Sequence, residues 1–122
     1  MKKITIKRIY EKPADIDGYR VLVDRLWPRG IAKKDAKLDE WNKEVAPSAD
    51  LRKWFDHQEQ RFTKFTKLYR EELMAKKEEL DSLRIIAKTE AITLLYGAKD
   101  TKINHAMVLR DVLLKGFKKT TL

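Results

Sequence analysis

The sequence of 122 residues contains no cysteine. This absence excludes disulfide bonds, thiolate metal ligands and a cysteine nucleophile. The sequence also lacks an uninterrupted apolar run of about 18 residues, the length of a membrane-spanning helix. The glycine-containing motifs of P-loop nucleotide hydrolases, dinucleotide-binding enzymes and serine hydrolases are missing as well. We therefore expect a protein without a membrane span, and none of these three chemistries has its usual signature.

The chain has the length of one domain, so we expect a single domain over residues 1–122. The N-terminus, Met1-Lys2-Lys3, could begin a signal peptide, but charged residues between Lys7 and Lys12 interrupt the position where the apolar segment should lie. A cytoplasmic location is the resulting expectation.

Positive charge predominates, with 28 Lys and Arg residues against 19 Asp and Glu residues and a net charge of +9. Four basic residues lie in residues 1–8 and three in residues 115–122, and neither segment contains an acid. The remainder, with 21 basic and 19 acidic side chains, is close to neutral. We predict that residues 115–122 form a flexible basic tail.

The pattern of apolar residues predicts three strands. Residues 4–9 begin with the alternation of an edge strand, which has one buried and one exposed face. Val21, Leu22 and Val23 form a continuous apolar run, as do most of residues 91–96, and such runs are typical of strands covered on both faces.

The long segment between the last two strands has a helical period. Leu38, Trp41 and Val45 have the spacing of one helix face, Ser48 is the predicted N-cap of the next helix, and Asp56 is predicted to open a third. Asp100 or Thr101 is predicted to cap the last helix. Long helical connections between buried strands predict an α/β fold, a small and mostly parallel sheet with helices packed on its faces.

Functional side chains are concentrated directly after the two buried strands, where ligands bind in open α/β sheets. If these strands are parallel neighbours, residues 24–30 and 96–105 adjoin and form one crevice. We predict Asp24 and His105 as catalytic residues that could act as a base. The predicted ligand-binding residues are Arg25, Trp27, Arg29, Tyr96, Lys99, Asp100 and Asn104. This set suits a phosphate or carboxylate, because arginine can grip two oxygens at once.

Several of these residues have a structural alternative. Asp24 and Arg25 could form an ion pair at a strand end, Trp27 could be a packing residue, and Asp100 could be a cap. His57 follows an aromatic pair, which favours a capping or packing role. No pair of histidines has metal-ligand spacing, so we expect neither a metal nor another cofactor.

Residues 20–30, 41–57 and 93–106 closely resemble the YeaO-like domain-of-unknown-function family, domain of unknown function 488. The resemblance covers almost the whole chain and implies a cytosolic α/β protein of bacteria and archaea, without implying a particular activity. Broader relatives carry Cys-His-Arg where this chain has Asn104-His105-Ala106, so a thiol mechanism does not carry over. The same relatives place a helix between the first two strands, which implies that the first strand is parallel.

Three functions remain open at this point. The leading hypothesis is a small anionic metabolite bound at the strand ends, either by a binding protein or by an enzyme. The alternative is a nucleic-acid-binding module that uses the basic termini and helix faces, and whose affinity would fall steeply with salt. The third is an interaction protein with an exposed patch of Trp41, Trp54 and Phe55. The oligomeric state is not indicated by the sequence.

Overall fold

The computed structural model describes residues 2–117, which form a parallel four-stranded sheet and five α-helices. The strands are β1 (Ile4–Arg8), β2 (Tyr19–Leu22), β3 (Glu40–Trp41) and β4 (Ile92–Tyr96). The helices are α1 (Lys33–Ala36), α2 (Ala49–Phe55), α3 (Phe62–Met74), α4 (Lys77–Ala87) and α5 (His105–Lys115). The predicted α/β class is therefore confirmed.

The strand order is β1-β4-β2-β3, and every neighbouring pair is parallel. β1 is an edge strand, as its alternating pattern predicts, and it has the parallel direction that the family resemblance implies. β2 lies beside β4, with Leu22 opposite Leu95. Because parallel strands end at the same edge of the sheet, the loops after β2 and β4 adjoin, as predicted.

Both faces of the central strands are covered. Val21 and Val23 belong to the larger apolar cluster, which includes side chains from α2 to α5. Leu22 points the other way, into a smaller cluster that contains Leu95 and is covered by Trp27 and Trp41. All three residues of the run are fully buried, and burial of such a side chain contributes roughly 1.5–3 kcal/mol. The prediction of strands buried on both faces is confirmed.

The helix predicted over Leu38, Trp41 and Val45 is wrong. The chain instead forms the short strand β3, followed by a 3-10 turn at Lys43–Val45. Leu38 and Trp41 pack on the smaller cluster, whereas Val45 packs in the larger one. Because these side chains pack on opposite faces of the sheet, their helical spacing does not indicate a helix here.

The boundaries between α2 and α3 also differ from the prediction. Ser48 is the N-cap of α2, as predicted, and its Oγ accepts a hydrogen bond from the Leu51 N–H at 3.1 Å. Asp56 does not open α3. It ends α2 in a left-handed conformation, with its N–H donating to the Arg52 carbonyl, and α3 begins only at Phe62.

The connection from β1 to β2 is unusually short for two parallel strands. It contains only a 3-10 turn at Asp15–Asp17, and the chain passes the start of β4 closely before entering β2. Gly18 has a φ of 67°, and a Cβ atom there would lie 2.3 Å from the Ala91 carbonyl oxygen. A glycine at this position therefore lets the chain pass this close to Ala91 as it enters β2.

The connection between β1 and β2 also contains a buried ion network. The Asp17 carboxylate accepts hydrogen bonds from Arg20 Nη1 at 2.6 Å, from Lys7 Nζ at 3.1 Å and from the Ala14 N–H. Burial alone would raise the pKa of the Asp17 carboxyl, but these three donors lower the pKa below its ordinary value of 3.8. The network fixes the start of β2 next to β1 and β4.

Within residues 2–117, no helix is both long and apolar enough to cross a membrane. The predicted tail over residues 115–122 begins inside the fold, because Lys115 is the last residue of α5. Residues 118–122 lie outside the described residues.

We predict that Asp17→Asn lowers the free energy of unfolding by about 3 kcal/mol at pH 7, because Arg20 loses its buried partner. The low pKa of Asp17 stabilises the fold above about pH 4, and this contribution disappears as pH falls through the pKa. The difference between wild type and variant should therefore shrink in acid. Urea unfolding at pH 7 and pH 3 measures both, and a difference that stays constant would contradict the assignment.

Candidate functional site

A crevice of about 360 Å³ lies at the carboxyl ends of β2 and β4. One side is formed by the loop after β2 together with Tyr10, and a second by the loop after β4 and the start of α5. The third side comes from the two ends of α2 and from α3. The residues lining these sides are Tyr10, Asp24, Arg25, Leu26, Trp27, Pro28, Arg29, Pro47, Arg52, Phe55, His57, Phe65, Gly97, Ala98, Ile103, Asn104 and His105.

Asp24 connects the structural elements at the base of the crevice. Its Oδ2 accepts a hydrogen bond from the Gly97 N–H at 2.9 Å, directly after β4. Its Oδ1 lies 3.1 Å from His105 Nε2, at the first residue of α5. The structure thus brings together the two residues predicted to be catalytic.

His105 Nε2 lies between two oxygen atoms at this contact. Nε2 lies 3.0 Å from the Val23 carbonyl oxygen, and a carbonyl can only accept, so Nε2 must carry the hydrogen. That hydrogen is directed at Val23, which leaves Asp24 Oδ1 buried without an aligned donor despite the 3.1 Å separation. The His105 ring also lies edge-on to buried Tyr69.

The predicted helix cap after β4 is wrong. Asn104, rather than Asp100 or Thr101, caps α5, because its Oδ1 accepts a hydrogen bond from the Met107 N–H at 2.9 Å. Its amide nitrogen donates to the Asp100 carbonyl. Asn104 is buried and lines the crevice, but both ends of its amide group already have protein partners.

The Asp100 carboxylate caps a turn before α5. Its Oδ1 accepts hydrogen bonds from the N–H groups of Lys102 and Ile103 at 2.8 and 2.9 Å. These bonds, with Ile103 contributing most, lower the pKa of the Asp100 carboxyl. Asp100 is exposed and does not line the crevice.

Two other predicted ligand-binding residues also lie outside the crevice lining. Tyr96 is buried in the larger apolar cluster, and this burial raises the pKa of its hydroxyl. Lys99 is exposed on the loop after β4. Their proximity to the strand end in sequence does not bring either one to the crevice lining.

Arg25 and Arg29 both line the crevice, as predicted, but differ in their contacts. Arg25 Nε donates to the Pro47 carbonyl at 3.0 Å, and Nη2 lies 3.5 Å from the Ala46 carbonyl. Within residues 2–117, Arg25 forms no ion pair with Asp24 or any other acid, and the Arg29 guanidinium has no hydrogen-bond or ion-pair partner. Arg29 therefore presents a free cation at the crevice.

Trp27 has mainly a packing role. Its Nε1 donates to the Ile31 carbonyl at 2.7 Å, and its ring contacts Trp41 edge-to-face with 5.2 Å between centroids. These contacts hold the loop after β2 against the smaller apolar cluster. Trp27 also lines the crevice, so the same ring shapes its wall.

Sequence reasoning missed the side of the crevice that comes from α2. Arg52 is exposed on this helix, and no part of the chain that the structure describes pairs with its guanidinium. His57 lies just beyond the helix. No local pattern marks either residue, because their position depends on how α2 packs against the sheet.

Trp41, Trp54 and Phe55 do not form one exposed patch. Phe55 is buried in the larger cluster, Trp41 packs on the other face of the sheet, and Trp54 is 37% exposed by itself. These three residues therefore do not form the aromatic surface on which the interaction-protein hypothesis depends. Among residues 2–117, no group of three His, Asp or Glu side chains is close enough to hold a metal ion.

We predict that Gly97→Ala disturbs the Asp24 contacts, because a Cβ atom at position 97 would lie 3.0 Å from Asp24 Oδ2. The carboxylate must shift, which weakens its bond to the Gly97 N–H and moves it relative to His105. We expect a loss of about 1 kcal/mol in stability, together with a change in the His105 imidazole NMR signals. Unchanged signals in a folded variant would show that Asp24 does not position His105.

Comparison with known proteins agrees with the family resemblance. The family model described as "Inactive DUF488-N3 subclade" matches residues 3–121. The protein named "Uncharacterized protein YeaO" of Escherichia coli is 50% identical over 110 residues, which cover 90% of this chain and 96% of the relative. Uncharacterized proteins of Mycobacterium tuberculosis (Rv3073c) and Mycobacterium bovis (Mb3100c) are each 40% identical over 111 residues, covering 91% of this chain and 93% of each relative.

The search of solved structures found no significant match to the chain. The family match and the relatives each cover nearly the whole sequence. The chain therefore belongs to the DUF488-N3 subclade described as inactive, and the YeaO-like assignment made from its motifs is confirmed.

Proposed function

We propose that the crevice reversibly binds a small organic anion that carries a phosphate or carboxylate group. The observation that carries this proposal is the imbalance of charge on its lining. Arg25, Arg29 and Arg52 face one carboxylate, that of Asp24. The Asp24 carboxylate is held by the Gly97 N–H and lies against His105, so it does not neutralise any of the three guanidinium groups.

Free arginines favour an oxyanion ligand in particular. The guanidinium group is planar and can donate two parallel hydrogen bonds to a carboxylate or phosphate. Arg29 and Arg52 are not paired with acids among residues 2–117, so a ligand need not break an ion pair to reach them. Arg25 adds positive charge while its bonds to the Pro47 and Ala46 carbonyls hold it in place.

The size and walls of the crevice favour an organic ligand over a free inorganic ion. A volume of about 360 Å³ lies within the range of small-molecule sites, roughly 300–1,000 Å³. Leu26, which is exposed, and the half-buried Trp27 and Ile103 supply apolar surface beside the arginines. A ligand with both an anionic group and an apolar part would use both kinds of surface.

Three observations favour binding without a covalent step. The chain has no cysteine, and its family is described as inactive. The Nε2 hydrogen of His105 is directed at the Val23 carbonyl, so this nitrogen is not placed to take a proton from a ligand. In this proposal Asp24 and His105 shape the base of the crevice and keep β2, β4 and α5 in register.

We predict that phenyl phosphate binds the wild-type protein and raises its melting temperature, because a ligand of the folded state stabilises it. Arg52→Gln should weaken this binding about tenfold, since a charge-assisted hydrogen bond contributes roughly 1.5–3 kcal/mol. Arg29→Gln should have a similar effect. Calorimetric titration at fixed salt concentration measures the affinities.

Lys53→Gln is the matched control, because Lys53 is the neighbouring exposed residue of α2 and does not line the crevice. It removes the same charge and should leave the affinity nearly unchanged. Equal losses for Arg52→Gln and Lys53→Gln would indicate a diffuse charge effect and contradict a defined site. Absence of binding by wild type to phenyl phosphate, inorganic phosphate and benzoate would overturn the proposal.

A further inference from the structure

The turn that follows α2 has an unusual conformation for its sequence. Asp56 and His57 both have positive φ angles, 47° and 53°, and the Gln58 N–H donates to the Phe55 carbonyl at 2.9 Å. This combination is that of a type I′ turn. Such turns favour Asn or Asp at the first central position and glycine at the second, so the histidine is the exceptional residue.

The conformation of Asp56 has a local explanation, whereas that of His57 does not. Aspartate tolerates the left-handed region better than most residues, and Asp56 ends α2 by donating its N–H to the Arg52 carbonyl. Histidine also occurs in this region more often than most residues, but the second central position of a type I′ turn is the one that favours glycine. Of the four other positive-φ positions among residues 2–117, three (18, 30 and 116) have glycine and one has Lys37.

The imidazole of His57 contributes little to the fold. It is exposed, and no hydrogen bond to its ring is present in the part of the chain that the structure describes. Its ring centroid lies 6.2 Å from that of Phe55, a peripheral contact with a residue that packs more closely on Phe65. The backbone strain is therefore not explained by a packing or capping role for the side chain.

Strained positions that the fold does not require are often retained for function. His57 lines the crevice together with Arg52, which lies in the last turn of α2, just before the turn that contains His57. We propose that His57 is a ligand-binding residue, whose imidazole N–H donates a hydrogen bond to an oxygen of the bound anion. This inference rests on the proposed function and names the α2 side of the crevice as part of the anion site.

The test is His57→Gly, which relieves the strain and removes the imidazole. Relief of strain outweighs the greater freedom that glycine gives the unfolded chain, so we expect the melting temperature to rise by about 2–4 °C. The affinity for phenyl phosphate should fall about tenfold. A gain in stability combined with a loss of binding is a result that a structural role for His57 does not produce.

Lys37→Gly is the matched control. Lys37 is also exposed and left-handed, with a φ of 47°, but it lies at the end of α1 and outside the crevice lining. Its replacement should likewise raise the melting temperature and should leave the affinity for phenyl phosphate unchanged. A loss of affinity equal to that of His57→Gly would contradict a specific role for His57.

The inference is overturned if His57→Gly binds phenyl phosphate as tightly as wild type does. It is also overturned if His57→Gly lowers the melting temperature, because the side chain would then serve the fold. Absence of binding by the wild-type protein is a different result, since it overturns the proposed function and this inference together.

Discussion

The Asp24 carboxylate is the contact on which the site depends. Its Oδ2 accepts a hydrogen bond from the Gly97 N–H after β4, and the neighbouring Val23 carbonyl bonds to His105 at the start of α5. Two consecutive residues after β2 therefore hold three elements together. Gly97 leaves room for this contact, because a Cβ atom at position 97 would lie 3.0 Å from Asp24 Oδ2 and would push the carboxylate aside. Asp24 is the only acid among the residues that line the crevice. Because its carboxylate is bound to the Gly97 N–H, it does not pair with the arginines around it.

The positive charges of the protein lie in different environments in the fold. Most of the excess of nine positive charges lies near the two ends of the chain, and the central part is close to neutral. Lys7 of the basic N-terminal segment is bound to the buried Asp17 carboxylate, so part of that charge stabilises the crossing between β1 and β2. The arginines at the crevice contribute little to the total charge but share one small space, where a single anion can contact several of them.

Sequence patterns were sufficient where a residue's environment follows from its neighbours along the chain. The buried strands, the Ser48 cap and the adjacency of the loops after β2 and β4 could all be predicted in this way. The patterns failed between residues 38 and 45, where Trp41 and Val45 serve opposite faces of the sheet. His57 could not be predicted as a site residue, because its position and its left-handed backbone follow from the packing of α2.

We propose that a small anion binds at the crevice and not at the basic N-terminal segment, and this location can be tested directly. The most direct measurement is an NMR titration with phenyl phosphate that follows the Arg Nε–Hε and His side-chain signals together with the backbone amides. Binding at the crevice predicts saturable shifts at Arg29, Arg52 and His57, with little change at Lys2 and Lys3. Shifts confined to the N-terminal lysines, or spread evenly over basic residues without saturation, would contradict it.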